Sequence, residues 1–259
     1  MAVALTGSVL AGEPLQPLPE AKDMPGTVQF HGRYQHRSRG GDIAQPGELW
    51  VNQKPDGAIV ALAHLPFMGT TEMVQGNKEH QPEVFRVRRP TVGEKPGYSM
   101  DLDLRTGKAL LSRRGVREDC DAKALTVPAG ACFDPNSRPD SYCAANILLR
   151  QFSSVKPGEA KEIQVYDWDN SGEGLADYTI KVELKGKEKA QVPAGTFDAN
   201  HFVLTQTSSA NTWFKKRAGH VTDFWVLENG VIIRILRHRE PYELLLLDYD
   251  VPGKLPGQQ

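Results

Sequence analysis

Short alternating runs of apolar and polar residues, separated by turn residues about every ten positions, dominate the chain. Alternation with period 2 places successive side chains on opposite faces, the signature of half-buried strands. Thirteen segments fit: Val28–Arg37, Glu48–Gln53, Ala58–Leu65, Val84–Arg89, Ser99–Leu104, Ala109–Arg114, Glu162–Asp167, Tyr178–Leu184, Ala199–Thr207, Asn211–Lys216, Thr222–Leu227, Val231–His238 and Glu243–Tyr249. The 24 glycines and 18 prolines punctuate them. Lys-Pro-Asp-Gly at 54–57 and Arg-Thr-Gly-Lys at 105–108 read as tight turns. Asn229-Gly230 reads as a type I′ hairpin turn, because both residues tolerate positive φ. Consecutive hairpins make an antiparallel meander. The expected fold is therefore mainly β, a large curved antiparallel sheet or open barrel. One short central helix is expected at about 140–152, opening at Asp140 or Ser141 and packing Ile147 and Leu148 on the sheet.

The formal net charge of −1 over 259 residues removes the simplest argument for a nucleic-acid partner. No stretch reaches the roughly 18 apolar residues of a membrane helix. Residues 1–24 read as a signal remnant or extended lead-in, 25–252 as one β-rich domain and 253–259 as a tail. Within the lead-in, Met1–Gly12 is uncharged, and Val9 and Ala11 are small residues spaced as a signal peptidase requires, without a basic start. A periplasmic or secreted location is expected ahead of a cytoplasmic one. Cys120, Cys132 and Cys143 cluster in one loop-rich stretch. They fit one local disulfide with a thiol left over, or three reduced thiols. No histidine lies among them, so zinc spacing is absent.

Residues 130–240 resemble an exported bacterial family of unknown function (DUF3108-like). The residues that carry the resemblance are Asp140-Ser141-Tyr142 opening the helix, Val192-Pro193-Ala194-Gly195-Thr196-Phe197-Asp198-Ala199 leading into His201–Leu204, then Trp213-Phe214 and the strand Val231–Leu236. The chain departs from the family pattern after Trp213-Phe214, where it reads Lys-Lys-Arg-Ala-Gly-His. The resemblance implies export and a long curved sheet similar to the LolA/LppX lipoprotein-carrier shape. It implies no reaction.

Several residues could carry chemistry. Arg234 shares a strand face with Ile232 and Leu236, where a guanidinium needs a carboxylate or an anionic ligand. Asp248 and Asp250 are the carboxylates the last strand offers. Arg113, Trp213 and Tyr34 join Arg234 as candidate ligand contacts, and the four tryptophans could line a binding surface. His64 is the lone histidine of an apolar run, a satisfied core residue or a base. His64 or His238 with Asp103 or Asp248 are the candidate acid–base groups. Asp167, Asp169 and Ser171 resemble the start of a calcium loop, but Tyr178 stands where a bidentate glutamate belongs. A polar hairpin turn is the simpler reading. No nucleotide, metalloprotease or hydrolase signature occurs, so no cofactor is expected. Two functions remain open. One is an exported module binding a hydrophobic or anionic small ligand, lipid-like or sugar. The other is an exported enzyme (hydrolase, lyase or isomerase) on a glycan or small organic acid.

Overall fold

In the computed structural model, residues 17–38, 41–42, 45–66, 69–90, 97–114, 120–126, 132–133, 149–152, 154–168, 175–209, 219–238 and 242–252 are described. Sixteen strands form: β1 (Thr27–Ser38), β2 (Gly41–Asp42), β3 (Gly47–Gln53), β4 (Ile59–Leu65), β5 (Thr70–Gly76), β6 (Pro82–Arg89), β7 (Gly97–Asp103), β8 (Lys108–Arg114), β9 (Cys120–Thr126), β10 (Cys132–Phe133), β11 (Ala160–Trp168), β12 (Leu175–Val192), β13 (Gly195–Ser209), β14 (Val221–Val226), β15 (Ile232–Arg237) and β16 (Tyr242–Asp250). All belong to one sheet. Its order runs β10-β11-β12-β13-β14-β15-β16-β1-β3-β4-β5-β6-β7-β8-β9, with β2 beside β1. Every pairing is antiparallel except the short β10–β11 contact. The mainly β expectation therefore holds.

Two meanders meet where β16 pairs with β1. The outermost strands, β9 and β10, are neighbours in sequence. Residues 127–131 join them, and five residues reach at most about 20 Å. The sheet must curl until its two edges approach. The core shows the same curl, since Phe30, Leu49, Val74, Phe85 and Met100 of one meander share a single cluster with Val182, Phe197, Phe202, Phe224 and Ile235 of the other. Gly32 makes room on the inner face. A Cβ there would lie 2.4 Å from Phe30 Cζ and 3.0 Å from Leu246 Cδ1.

The hairpins differ from expectation in one respect. Asn229 does not adopt positive φ; Gly230 alone does, at 82°. The Gly230 N–H donates to Leu227 O and the Leu227 N–H to Val231 O, both at 2.8 Å. This is a tight turn closed by a left-handed residue, a longer loop than the two-residue type I′. Gly57 does the same over Lys54–Ala58, with φ 86°. Of the expected helix, Leu149–Phe152 forms a 3-10 turn whose Leu149 and Phe152 are buried in the core; residues 140–148 lie outside the described residues, as does the expected strand at 211–216. The lead-in has structure of its own. Leu18, Ala21 and Met24 cover Trp50, Val60, Leu62 and Met73 on the outer face. Asn52 Nδ2 donates to Met24 O at 3.4 Å.

Two substitutions test this core. Phe224→Ala should cost about 3–5 kcal/mol, because it empties a fully buried site where both meanders meet. Gly32→Ala should cost about 1–3 kcal/mol, by forcing Phe30 off its seat. Urea unfolding measures both. A Gly32→Ala protein of unchanged stability would contradict the close approach.

Candidate functional site

The described buried polar side chains of the inner face are not scattered. His36 and Thr222 lie at the C-terminal end of β1 and the N-terminal end of β14, Thr70 and Glu72 at the N-terminal end of β5, and Gln206 near the C-terminal end of β13. In an antiparallel meander these strand ends coincide. The register confirms the alignment. One row runs Phe202–Phe224–Ile235–Leu244–His36. The row beyond it runs Leu204–Thr222–Arg237–Tyr242–Ser38. Glu72 stands in the row Gly32–Leu49–Ala63–Glu72–Val87–Met100. The opposite end of the interior is apolar, with Phe85, Leu104, Leu149, Phe152, Val192, Phe197, Leu227 and Val231 all buried. The inner face thus grades from an apolar closed end to a polar open end.

At the open end, the His36 ring is buried and its Nδ1 lies 2.7 Å from the Tyr242 hydroxyl. Burial pushes its pKa down to about 3, so the ring is neutral at ordinary pH. Gly47 leaves room for it, since a Cβ there would come within 3.0 Å of His36 Nε2. The Tyr34 hydroxyl donates to Ile232 O at 2.7 Å and burial raises its pKa. The Arg237 guanidinium lies 5.8 Å from the centre of the Tyr242 ring.

The outer face carries a second network. Trp225 is stacked on His201 at 4.7 Å and covered on its other face by Arg234 at 4.5 Å. Its Nε1 donates to Glu188. Asp223 takes His201 Nε2 on one oxygen and His238 Nε2 on the other. Arg234 binds Glu243 through Nε at 2.8 Å, and Glu243 also lies 3.6 Å from Arg37. These contacts stitch β12 through β16 to β1.

The residues singled out from sequence fall as follows. Arg234 finds a carboxylate, but it is Glu243, one strand away, rather than Asp248 or Asp250. Asp248 binds Arg33, whose guanidinium holds its pKa down. Asp103 binds Arg105, with the same effect. His238 binds Asp223. His64 is exposed rather than in the core, with Nδ1 3.1 Å from the Thr71 hydroxyl. The four candidate acid–base residues therefore have separate partners and do not converge. Tyr34 alone of the candidate ligand contacts has its side chain on the described inner face. Arg113 occupies β8 opposite Tyr98 and Asp121. Trp213, Asp169, Ser171 and Cys143 lie outside the described residues. Asp167 is in β11, while Cys120 and Cys132 are in the two outermost strands. Among the described residues no cysteine pair is found, no group of three His, Cys, Asp or Glu side chains is set to hold a metal ion, and no helix is long and apolar enough to cross a membrane. His36, Glu72 and Gln206 were missed. Each interrupts an inner-face apolar alternation, which is the signal that could have found them.

Together these features define a β-barrel-like protein with a polarity-graded interior. No family model matches the sequence, and no curated protein matches it. Among solved structures the chain is similar to a β-barrel-like protein of domain of unknown function DUF1849 from Brucella abortus, with 10% identity, a TM-score of 0.47, and coverage of 88% of this chain and 100% of that one. It is also similar to a putative lipoprotein from Parabacteroides distasonis, with 13% identity, a TM-score of 0.39, and coverage of 88% and 97%. The hypothetical lipoprotein YmcC from Escherichia coli gives 10% identity, a TM-score of 0.39, and coverage of 90% and 92%. Likeness at this level carries no argument about what the chain does.

The buried His36 makes stability depend on pH. Its folded pKa of about 3 lies below the 6.5 of an unperturbed ring. Between those values the unfolded chain binds a proton that the folded chain refuses. Stability is therefore full above pH 6.5 and drains as pH falls toward 3, by about 1.4 kcal/mol for each unit. Chemical denaturation at pH 7 and pH 5 should show a smaller acid loss for His36→Leu than for the native chain. Equal losses would refute it.

Proposed function

We propose that the protein is an exported, β-barrel-like binding module for a small amphipathic ligand. The ligand's polar or anionic head lies at the open end, and its apolar part points along the interior. The observation that carries this reading is the polarity gradient. A barrel built for stability alone gains nothing from placing a neutral histidine, a glutamate, a glutamine and two threonines on its inner face. Polar groups few in number and gathered at one end of an apolar interior are the arrangement of a small-molecule site. In this reading His36 and Tyr242 contact the head group by hydrogen bonds, and Arg237 supplies the positive charge for an anionic head. The small, uncharged Met1–Gly12 segment and the resemblance to an exported family support a place in the bacterial envelope.

The interior as it stands is filled by the protein's own side chains, so the ligand must displace some of them. A narrow, adaptable cavity suits a single acyl chain better than a rigid polycycle. The enzyme alternative has no specific observation in its favour, because its candidate groups are dispersed over the outer face.

Native mass spectrometry of protein purified from bacterial membranes-rich lysate should show a co-purified acyl species, and Arg237→Ala should reduce its occupancy. Delipidated protein titrated with palmitate or lysophosphatidylglycerol should shift the NMR signals of His36 and Tyr242. Empty protein together with unshifted signals would refute the reading.

A further inference from the structure

We infer that the closed end carries a second, independent binding site, for a neutral polyhydroxylated ligand the size of one sugar ring. The site is built around His80. Three turns at the closed end share one geometry, in which the fourth residue donates to the first and turns left-handed. In the turns starting at Lys54 and Leu227 that residue is Gly57 or Gly230, with φ 86° and 82°. In the turn starting at Asn77 it is His80, with φ 62°. The His80 N–H donates to Asn77 O at 2.9 Å and the Asn77 N–H to Gln81 O at 3.0 Å, as in the glycine turns. His80 is the one non-glycine residue with positive φ among the described residues. Left-handed backbone strains an L side chain and leaves glycine at ease. Strain of this kind persists where a side chain has a task.

A second observation is independent of the backbone. His80 Nδ1 is buried and has no hydrogen-bond partner. Buried polar atoms are normally paired, and an orphan calls for an explanation. Burial is the largest influence lowering the His80 pKa, with the nearby Arg150 charge second. Arg150 itself is pressed over Gly230, where a Cβ would lie 2.3 Å from its Cγ.

The third observation is a cavity. A space of about 220 Å³ is lined by Asn77, Gln81, Pro82, Glu83, Leu104, Arg105 and Gln151. Asn77 and Gln81 flank His80 in the turn, and Gln151 Nε2 donates to His80 O at 2.7 Å. The volume lies below the range of about 300–1,000 Å³ typical of drug-sized ligands. The lining supplies amides, one carboxylate and one guanidinium, so its formal charge is zero. Leu104 and Pro82 provide an apolar patch. Such a lining suits a neutral molecule dense in hydroxyls. A hydroxyl both donates and accepts, so it satisfies His80 Nδ1 in either tautomer of the neutral ring.

The test uses the full chain and three probes, D-glucose, N-acetyl-D-glucosamine and D-ribose, in the millimolar range. NMR should show at least one of them shifting the signals of residues 77–83, 104–105 and the Gln151 side-chain amide. Glu83→Leu should weaken that binding about tenfold, by removing a charged acceptor. His80→Gly separates function from folding. It should raise the melting temperature by about 2 °C, by relieving the left-handed strain, and weaken sugar binding about tenfold. Three silent probes, or a His80→Gly protein that binds as tightly as the native chain or melts lower, overturn the proposal.

Discussion

The pairing of the last strand with the first holds the architecture together. Without β16 on β1 the chain would be two separate meanders, each with one apolar face open to water. With it, residues as far apart in sequence as Arg33 and Asp248 lie side by side, and the two inner faces close over one core. A register shift between Arg33 and Tyr34 marks the junction. A bulge of this kind bends and re-aims a strand. Beyond it Tyr34 reaches across the interior to the Ile232 carbonyl. Closure of this contact comes late in chain order, and a fold that depends on it has high contact order. Slow folding follows, because the loop entropy must be met before the core rewards it.

The inner and outer faces solve different problems. Inside, burial does the stabilising, at roughly 25 cal/mol for each Å² of apolar surface. Outside, the strands are joined by contacts that are individually weak. Exposed ion pairs such as Arg37–Asp42 contribute about 0–1 kcal/mol. Trp225 strengthens the outer seam because it sits between His201 and Arg234 and is itself nearly buried. Its flat faces are both occupied, so it serves cohesion and has no free face for a sugar or acyl group. His31 stacked on Trp50 at 4.9 Å repeats the device on β1 and β3. The lead-in covers the apolar ground beside it.

Much of this was legible in the sequence, for a physical reason. Period-2 alternation reports which side chains share a face, and it placed Phe30, Tyr34 and His36 together, opposite His31, Arg33 and Arg37. It also found Gly57 and Gly230 at hairpins. Alternation does not report register across strands distant in sequence. Arg234 therefore drew its expected partner from Asp248, whereas the register places Glu243 beside it and Asp248 beside Arg33. His64 looked internal because its neighbours are apolar, yet it falls on the outer phase of β4. The type I′ turn failed at Asn229 because a longer loop needs only one left-handed residue. His80 gave no signal at all. A left-handed histidine can be seen only once the turn is built.

The five-residue link between β9 and β10 has a consequence for association. A sheet that does not close leaves two rows of unpaired backbone groups, and such rows recruit strands from other molecules. Here both rows belong to one chain and stay within about 20 Å of each other. One row is only two residues long, Cys132–Phe133, and runs parallel to its neighbour. The tether thus acts as a guard against polymerisation. Any foreign strand must enter a slit whose width the covalent chain itself limits, and it meets an edge too short to template more than a few hydrogen bonds.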